Sequence, residues 1–158
     1  MTQDVTITIR HCLATLVYRA AKTLRDAPPQ FASFCCAPGA RTPVEILAHM
    51  GDLLDWALHL CDGKHVWHDA KPLPWEREVE RFFAAAQRLD QRLASDEFRG
   101  TAEKFFQGPI ADVLTHVGQL AMLRRLGGWP VRGENYFLAD IVTGRVGPAQ
   151  APPRKEFD

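Results

Sequence analysis

The amino-acid sequence predicts an all-α protein, a four-helix bundle with a short extra C-terminal helix and a tail. Three observations carry that expectation. Four stretches of roughly 18 to 22 residues repeat apolar side chains at three- and four-residue steps, the spacing that gives a helix one apolar face. Proline, glycine and capping residues bracket those stretches where helices start and stop. Only Val5-Thr6-Ile7-Thr8-Ile9 alternates like a strand, and without a second such run it has nothing to pair with. The 158 residues read as one domain, 1–158, of which about 144–158 is the tail. A chain of this length buries about two-thirds of its unfolded surface in a single core.

The first helix runs from Val5 to Asp26, with Ile9, Cys12, Leu13, Leu16, Val17, Ala20 and Leu24 as its buried stripe. Pro28-Pro29 stops it, because proline lacks the N–H that would continue the ladder. Residues 30–41 form a loop anchored by Phe31 and Phe34. The second helix spans Pro43 to about Cys61. Thr42 and Glu45 make a capping box with Pro43 at the first helical position, and Asp62-Gly63 ends the helix. His65 and His68 fall in the polar, proline-bearing connection that follows, where solvated histidines are expected. The third helix spans Trp75 to Ser95. It buries Val79, Phe82, Phe83, Ala86, Leu89 and Leu93, and turns Glu76, Arg77, Glu80, Arg81, Arg88 and Arg92 to a solvated face.

After a short segment holding Phe105 and Phe106, Gly108-Pro109 opens the fourth helix, which closes at Gly127-Gly128 after about five turns. Residues 129–134 are a turn. Asn135 to Val142 is expected to form the short last helix. The proline-bearing segment from Gly144 is expected to be partly disordered. Connections of about a dozen residues allow a crossover, so simple up-and-down order is not assumed.

Composition narrows function by exclusion. With 19 basic and 19 acidic residues the net charge is zero, which leaves no electrostatic footprint for nucleic acid. No apolar run approaches the ~18 residues of a membrane span. Met1-Thr2-Gln3-Asp4 lacks the basic segment and apolar block of a leader, so a cytoplasmic location is expected. Cys12, Cys35, Cys36 and Cys61 show no Cys-x-x-Cys spacing and read as reduced thiols, Cys35-Cys36 being the one pair with reactive potential.

Asp112 and His116 stand four residues apart on the fourth helix, one turn above the other, flanked by Val113, Leu120 and Leu123. A carboxylate and an imidazole sharing an inward face must pair or bind something between them, and a divalent metal suits both. The best third ligand is His49, aligned with Ile46, Leu53 and Trp56 on the second helix. Other readings stay open. One histidine on an apolar stripe can be a satisfied core residue, and an i,i+4 carboxylate–imidazole pair is also ordinary helix surface chemistry. Asp52, Glu45 and His11 are the fallback ligands. Asp52, one turn past His49, and Gln119, three residues past His116, are placed to orient a ligand or substrate.

Thr42-Pro43-Val44-Glu45-Ile46-Leu47-Ala48-His49-Met50, followed by Asp52 and Trp56, resembles the second helix of the DinB-like (YfiT-like) metal-binding proteins. His116-Val117-Gly118-Gln119-Leu120, with Arg124 and Gly127 beyond, resembles that family's fourth-helix motif. The family pattern has a further histidine where this chain has Asp112, so the resemblance implies two histidines and one carboxylate. It further implies a bundle fold, a homodimer and a divalent metal. Zinc or nickel comes first among the metals, ahead of iron or manganese. The implied activity is that of a thiol S-transferase, isomerase or hydrolase, joining a low-molecular-weight thiol such as bacillithiol, mycothiol or glutathione to a small electrophile. The competing expectation is a non-catalytic bundle, an interaction module with a relic site. Two histidines and a carboxylate also match the non-haem iron triad, though nothing else in the sequence points to oxygen chemistry.

Overall fold

Four long helices make up the computed structural model: α1 (Gln3–Leu24), α2 (Pro43–Leu60), α3 (Trp75–Ala94) and, after the short α4 (Ala102–Phe105), α5 (Ala111–Leu126). Residues 3–95 and 98–157 are described. Met1 and Thr2, the first half of the stretch read for a leader, lie outside the described residues, as do Asp96, Glu97 and Asp158. Among the described residues no helix is long and apolar enough to cross a membrane.

Local chemistry places the boundaries. The Glu45 carboxylate accepts both the Thr42 N–H, at 2.7 Å, and the Thr42 hydroxyl, at 2.8 Å, which fixes the start of α2. The same bonds hold the Glu45 carboxyl below the usual carboxylate range. Gly63, at φ 70°, turns the chain out of α2 in the left-handed region that favours glycine. Val5 to Ile9 is helical, its strand-like alternation overridden once Ile9 is buried against the bundle.

α1 packs on α3 and α5, and so does α2, so the order around the bundle is α1, α3, α2, α5. Consecutive helices α1 and α2 therefore lie across the core from one another. The 25–42 connection that joins them is pinned by Phe31, which is fully buried edge-on to Trp75 and Trp129 at 5.5 and 6.2 Å. Leu13, Leu16, Leu47, Leu54, Phe82, Leu89 and Leu120 fill the centre with no exposed surface. This order also makes α2 and α5 direct neighbours.

Three expectations need correction. The helix that carries Asp112 does not begin at Pro109. It runs on from α4 through a π turn, Phe106–Ile110, with Pro109 inside. A proline inside a helix lacks an N–H and crowds the carbonyl four residues back, and a widened turn relieves both. Second, Asn135 to Val142 is a series of turns. Asn135 Oδ1 accepts the Phe137 N–H at 3.1 Å, an Asx turn that competes with helix. Third, the segment from Gly144 is packed. Val146 is buried, and residues 133–135 pair with 155–157 through Asn135 N–H to Lys155 O at 2.9 Å and Phe157 N–H to Gly133 O at 2.8 Å. The pairing seats Glu134 in a buried bond from Tyr18 and an ion pair with Lys22, at 2.6 and 2.8 Å.

The solvated face expected of α3 is also only partly solvated. Arg81, Arg88 and Arg92 reach across to Asp52, Asp55 and Asp62 of α2 and its end, while Glu78 and Asp90 are buried. Gly51 makes the closest of these contacts possible, since a Cβ there would sit 3.0 Å from the Arg81 guanidinium. Arg124 fastens the ends of α1 and α5, donating to the carbonyls of Trp129, Thr23 and Arg25 at 2.7, 3.2 and 3.3 Å. Burial lowers its pKa, yet it stays charged.

Candidate metal centre

His49 projects from the middle of α2, while Asp112 and His116 come from the first two turns of α5, just past the π turn. One donor atom from each of the three lies within 4.8 Å of the others, and no other group of His, Cys, Asp or Glu among the described residues converges in this way. The Asp112 carboxylate is 3.1 Å from His116 Nδ1 and 3.9 Å from His49 Nε2. The two imidazole rings stand 4.8 Å apart. Sequence reasoning expected this trio, and the structure brings it together.

His116 Nδ1 lies 2.7 Å from the backbone carbonyl of Asp112. A carbonyl only accepts, so the contact requires the proton on Nδ1, leaving the Nε2 lone pair free for a ligand. His49 has its pKa lowered by burial first, then by the nearby His116 and Arg41, against the opposing pull of Asp112 and Asp52. It is therefore neutral at pH 7, the form a metal requires. Burial is graded across the site. His116 is 8% exposed, whereas the side chains of His49 and Asp112 are 22% and 45% exposed. Asp112 is thus not inward as expected. It stands at the rim on the opening turn of α5, so the centre is reachable from solvent.

The two residues expected to orient ligands take different places. Asp52 is buried and paired with Arg81, and its other oxygen accepts the Ala70 N–H at 3.1 Å. Among the described residues it makes no bond to His49. Its role is one step removed. The 64–74 connection is tied to α2 through Ala70 and to α3 through Leu73 N–H and Glu78, at 2.8 Å. That connection lays Trp67 edge-on to His49, ring centres 5.6 Å apart, with Trp56 beside it at 6.0 Å. Gln119 is exposed and lines an open groove of about 660 Å³ with His116. Ile46, Met122, Leu123 and Leu126 give that groove its apolar walls, and Cys36 and Arg41 stand at its edge.

The remaining candidates stay apart. His65 and His68 are exposed, and His65 leans on Trp56 at 5.3 Å. His11 bonds to Thr143 at 3.0 Å, and Glu45 is engaged in its cap. Cys35 and Cys36 are exposed free thiols, and Cys61 is buried with its pKa pushed up to about 12 by burial. Trp67 and Arg81 were missed. The tryptophan sat in a loop weighed only for its histidines, and the arginine in a helix face read as solvated. No family model, curated protein or solved structure matches this chain.

Proposed function

We propose that this chain is a DinB-like enzyme that holds a divalent metal on His49, Asp112 and His116 and joins a thiol or water to a small electrophile. The observation that carries the reading is the His116 geometry. Its Nδ1–H is committed to the Asp112 carbonyl, its ring stands 4.8 Å from that of a neutral His49, and one donor atom from each of the three residues lies within 4.8 Å of the others. Two imidazoles and one carboxylate fit a borderline dication such as zinc or nickel, with iron or manganese also accommodated. When bound, the dication supplies Lewis acidity that brings the pKa of a coordinated water or thiol toward neutrality.

The chain's own residues do the rest. Three protein ligands leave coordination positions open, unlike a closed four-ligand structural site. Burial keeps His49 unprotonated, and the carbonyl of Asp112 keeps the His116 ring from turning. Trp67 shields His49 from bulk water on the loop side. The groove beside His116 offers apolar contact for the body of a small substrate, with Gln119 and Arg41 as polar groups at its edge. A homodimer in the cytoplasm belongs to the same reading.

The test begins with metal analysis of the protein purified without chelators. About one equivalent of divalent metal per chain is expected, and near none in the His49→Ala, His116→Ala double variant. Equal metal content in the two proteins would remove the assignment. Consumption of bacillithiol, mycothiol or glutathione with monochlorobimane then reads activity. One observation favours a second reading. Asp112 is nearly half exposed and already lies against His116, which also describes a plain surface pair on a non-catalytic bundle. That reading predicts no bound metal and no thiol consumption.

A further inference from the structure

A second cavity, of about 390 Å³, lies between α1, α5 and the C-terminal segment. α5 serves the two places with different stripes. Asp112 and His116 meet α2, whereas Leu114, Val117, Ala121 and Arg125, at three- and four-residue steps, line this cavity. Its charges do not balance. Among the described residues Arg19, Arg125 and Arg132 border it against a single carboxylate, Glu134. Glu134 is already engaged by the Tyr18 hydroxyl at 2.6 Å and the Lys22 ammonium at 2.8 Å. Among the described residues Arg132 reaches only Glu156, at 3.8 Å, and Lys22 holds that carboxylate more closely, at 3.1 Å. Among the described residues neither Arg19 nor Arg125 has a carboxylate partner.

Unpaired arginines on a surface are common, but Arg19 is held differently. Its guanidinium lies 4.1 Å from the centre of the Tyr136 ring. Tyr136 stands edge-on to Tyr18 at 6.2 Å, and Tyr18 is fixed by its bond to buried Glu134. Each step removes freedom from the next, so the cation is positioned before any ligand arrives. A guanidinium stacked on a ring keeps its edge N–H donors free, and that edge matches a carboxylate in two-point fashion. Val117, Ala121, Val131 and Phe157 supply apolar wall on the rest of the cavity.

We infer that this cavity is a binding site for a small aromatic carboxylate, its anion on Arg19 and Arg125 and its ring against Phe157 and Val131. The site is independent of the metal centre. Titration calorimetry of the full chain with 2-naphthoate tests it, with the uncharged 2-naphthamide as comparison. Saturable binding of one naphthoate is expected, with the amide weaker by about tenfold or more, as loss of a charge-assisted contact requires. The Arg19→Gln, Arg125→Gln variant should bind naphthoate at least about tenfold more weakly with its helicity intact. Ala121→Phe, which keeps both arginines and fills the cavity from α5, should weaken binding as well. The His49→Ala, His116→Ala variant should bind naphthoate as the parent does. No saturation by millimolar naphthoate, equal affinity for the amide, unchanged affinity in either cavity variant, or loss of binding in the histidine variant would each overturn the assignment.

Discussion

α2 meets a neighbour along each of its two sides, and the two seams treat charge in opposite ways. Toward α3, Asp52, Asp55 and Asp62 each meet an arginine, and Glu78 is paired with Arg81 although it is fully buried. Toward α5, two histidines and a carboxylate converge, and among the described residues no lysine or arginine lies within ion-pair distance of Asp112. The first seam is complete within the chain. The second has donors with no cation supplied by a side chain, and a bound dication would complete it. Carboxylates alone do not distinguish a ligand set from a structural pair. What the neighbouring helix offers them does.

If that contrast is right, the largest effect comes from breaking the completed seam. Arg81→Ala would leave Asp52 and Glu78 buried without their cation, a loss of about 3–5 kcal/mol. With a melting-temperature shift of roughly 2–4 °C per kcal/mol for a chain of this size, a fall on the order of 10 °C is expected in thermal unfolding. A fall of only a degree or two would show that the two carboxylates find water instead. Removing Asp112 from the metal-free protein should, by contrast, change stability by less than about 1 kcal/mol, the ordinary worth of an exposed pair.

The next effect comes from completing the open seam. Metal at a hundredfold excess over its dissociation constant should stabilise the fold by about 2.7 kcal/mol, read as a rise in the urea midpoint. The His49→Ala, His116→Ala variant should keep its helicity and show no rise. A rise of the same size in both proteins would place the metal elsewhere.

Much of this architecture was legible in the residues. Periodicity located the four long helices, and the Thr42–Glu45 capping box located the start of α2, because these are local signals. Helical spacing made the Asp112 and His116 pair legible, and the family resemblance, rather than spacing, joined His49 to it. What escaped was long-range. Pro109 looked like a helix start because nothing local announces that a π turn will absorb it. Arg81 looked solvated because a charged residue's partner on another helix leaves no mark on its own. The C-terminal segment looked loose because its prolines are visible in the sequence, whereas the pairing of residues 133–135 with 155–157 is not.

A smaller effect distinguishes the seams by pH. The pKa of His49 is lowered in the folded protein, mainly by burial, so the unfolded chain binds the proton more readily. The stability tied to His49 is therefore present above the unfolded value near 6.5 and lost as pH falls through the folded value. In metal-free protein, unfolding free energy should decline below about pH 6.5, and His49→Gln should flatten that decline. An identical profile in the variant would assign the proton uptake to another group.

The last effect leaves binding in place and changes only its chemistry. Asp112→His replaces a carboxylate by a neutral imidazole and raises the net charge of the site by one unit. A bound dication would then sit at about +2 rather than +1. A more positive centre holds a deprotonated water or thiolate more strongly, so any pH–activity midpoint should move down. Two unit charges 4 Å apart interact by about 1 kcal/mol even in water, which sets a floor of roughly 0.7 pH units on that movement. The half-exposed position of Asp112 leaves room for the larger ring, so metal content should stay near one equivalent. The loss of an oxygen donor should also lower the affinity for manganese and iron relative to softer metals. Loss of metal would mean that the carboxylate supplies a geometry imidazole cannot reach. Metal content and pH profile both unmoved would show that Asp112 is no ligand, and that His49 and His116 alone define whatever this seam binds.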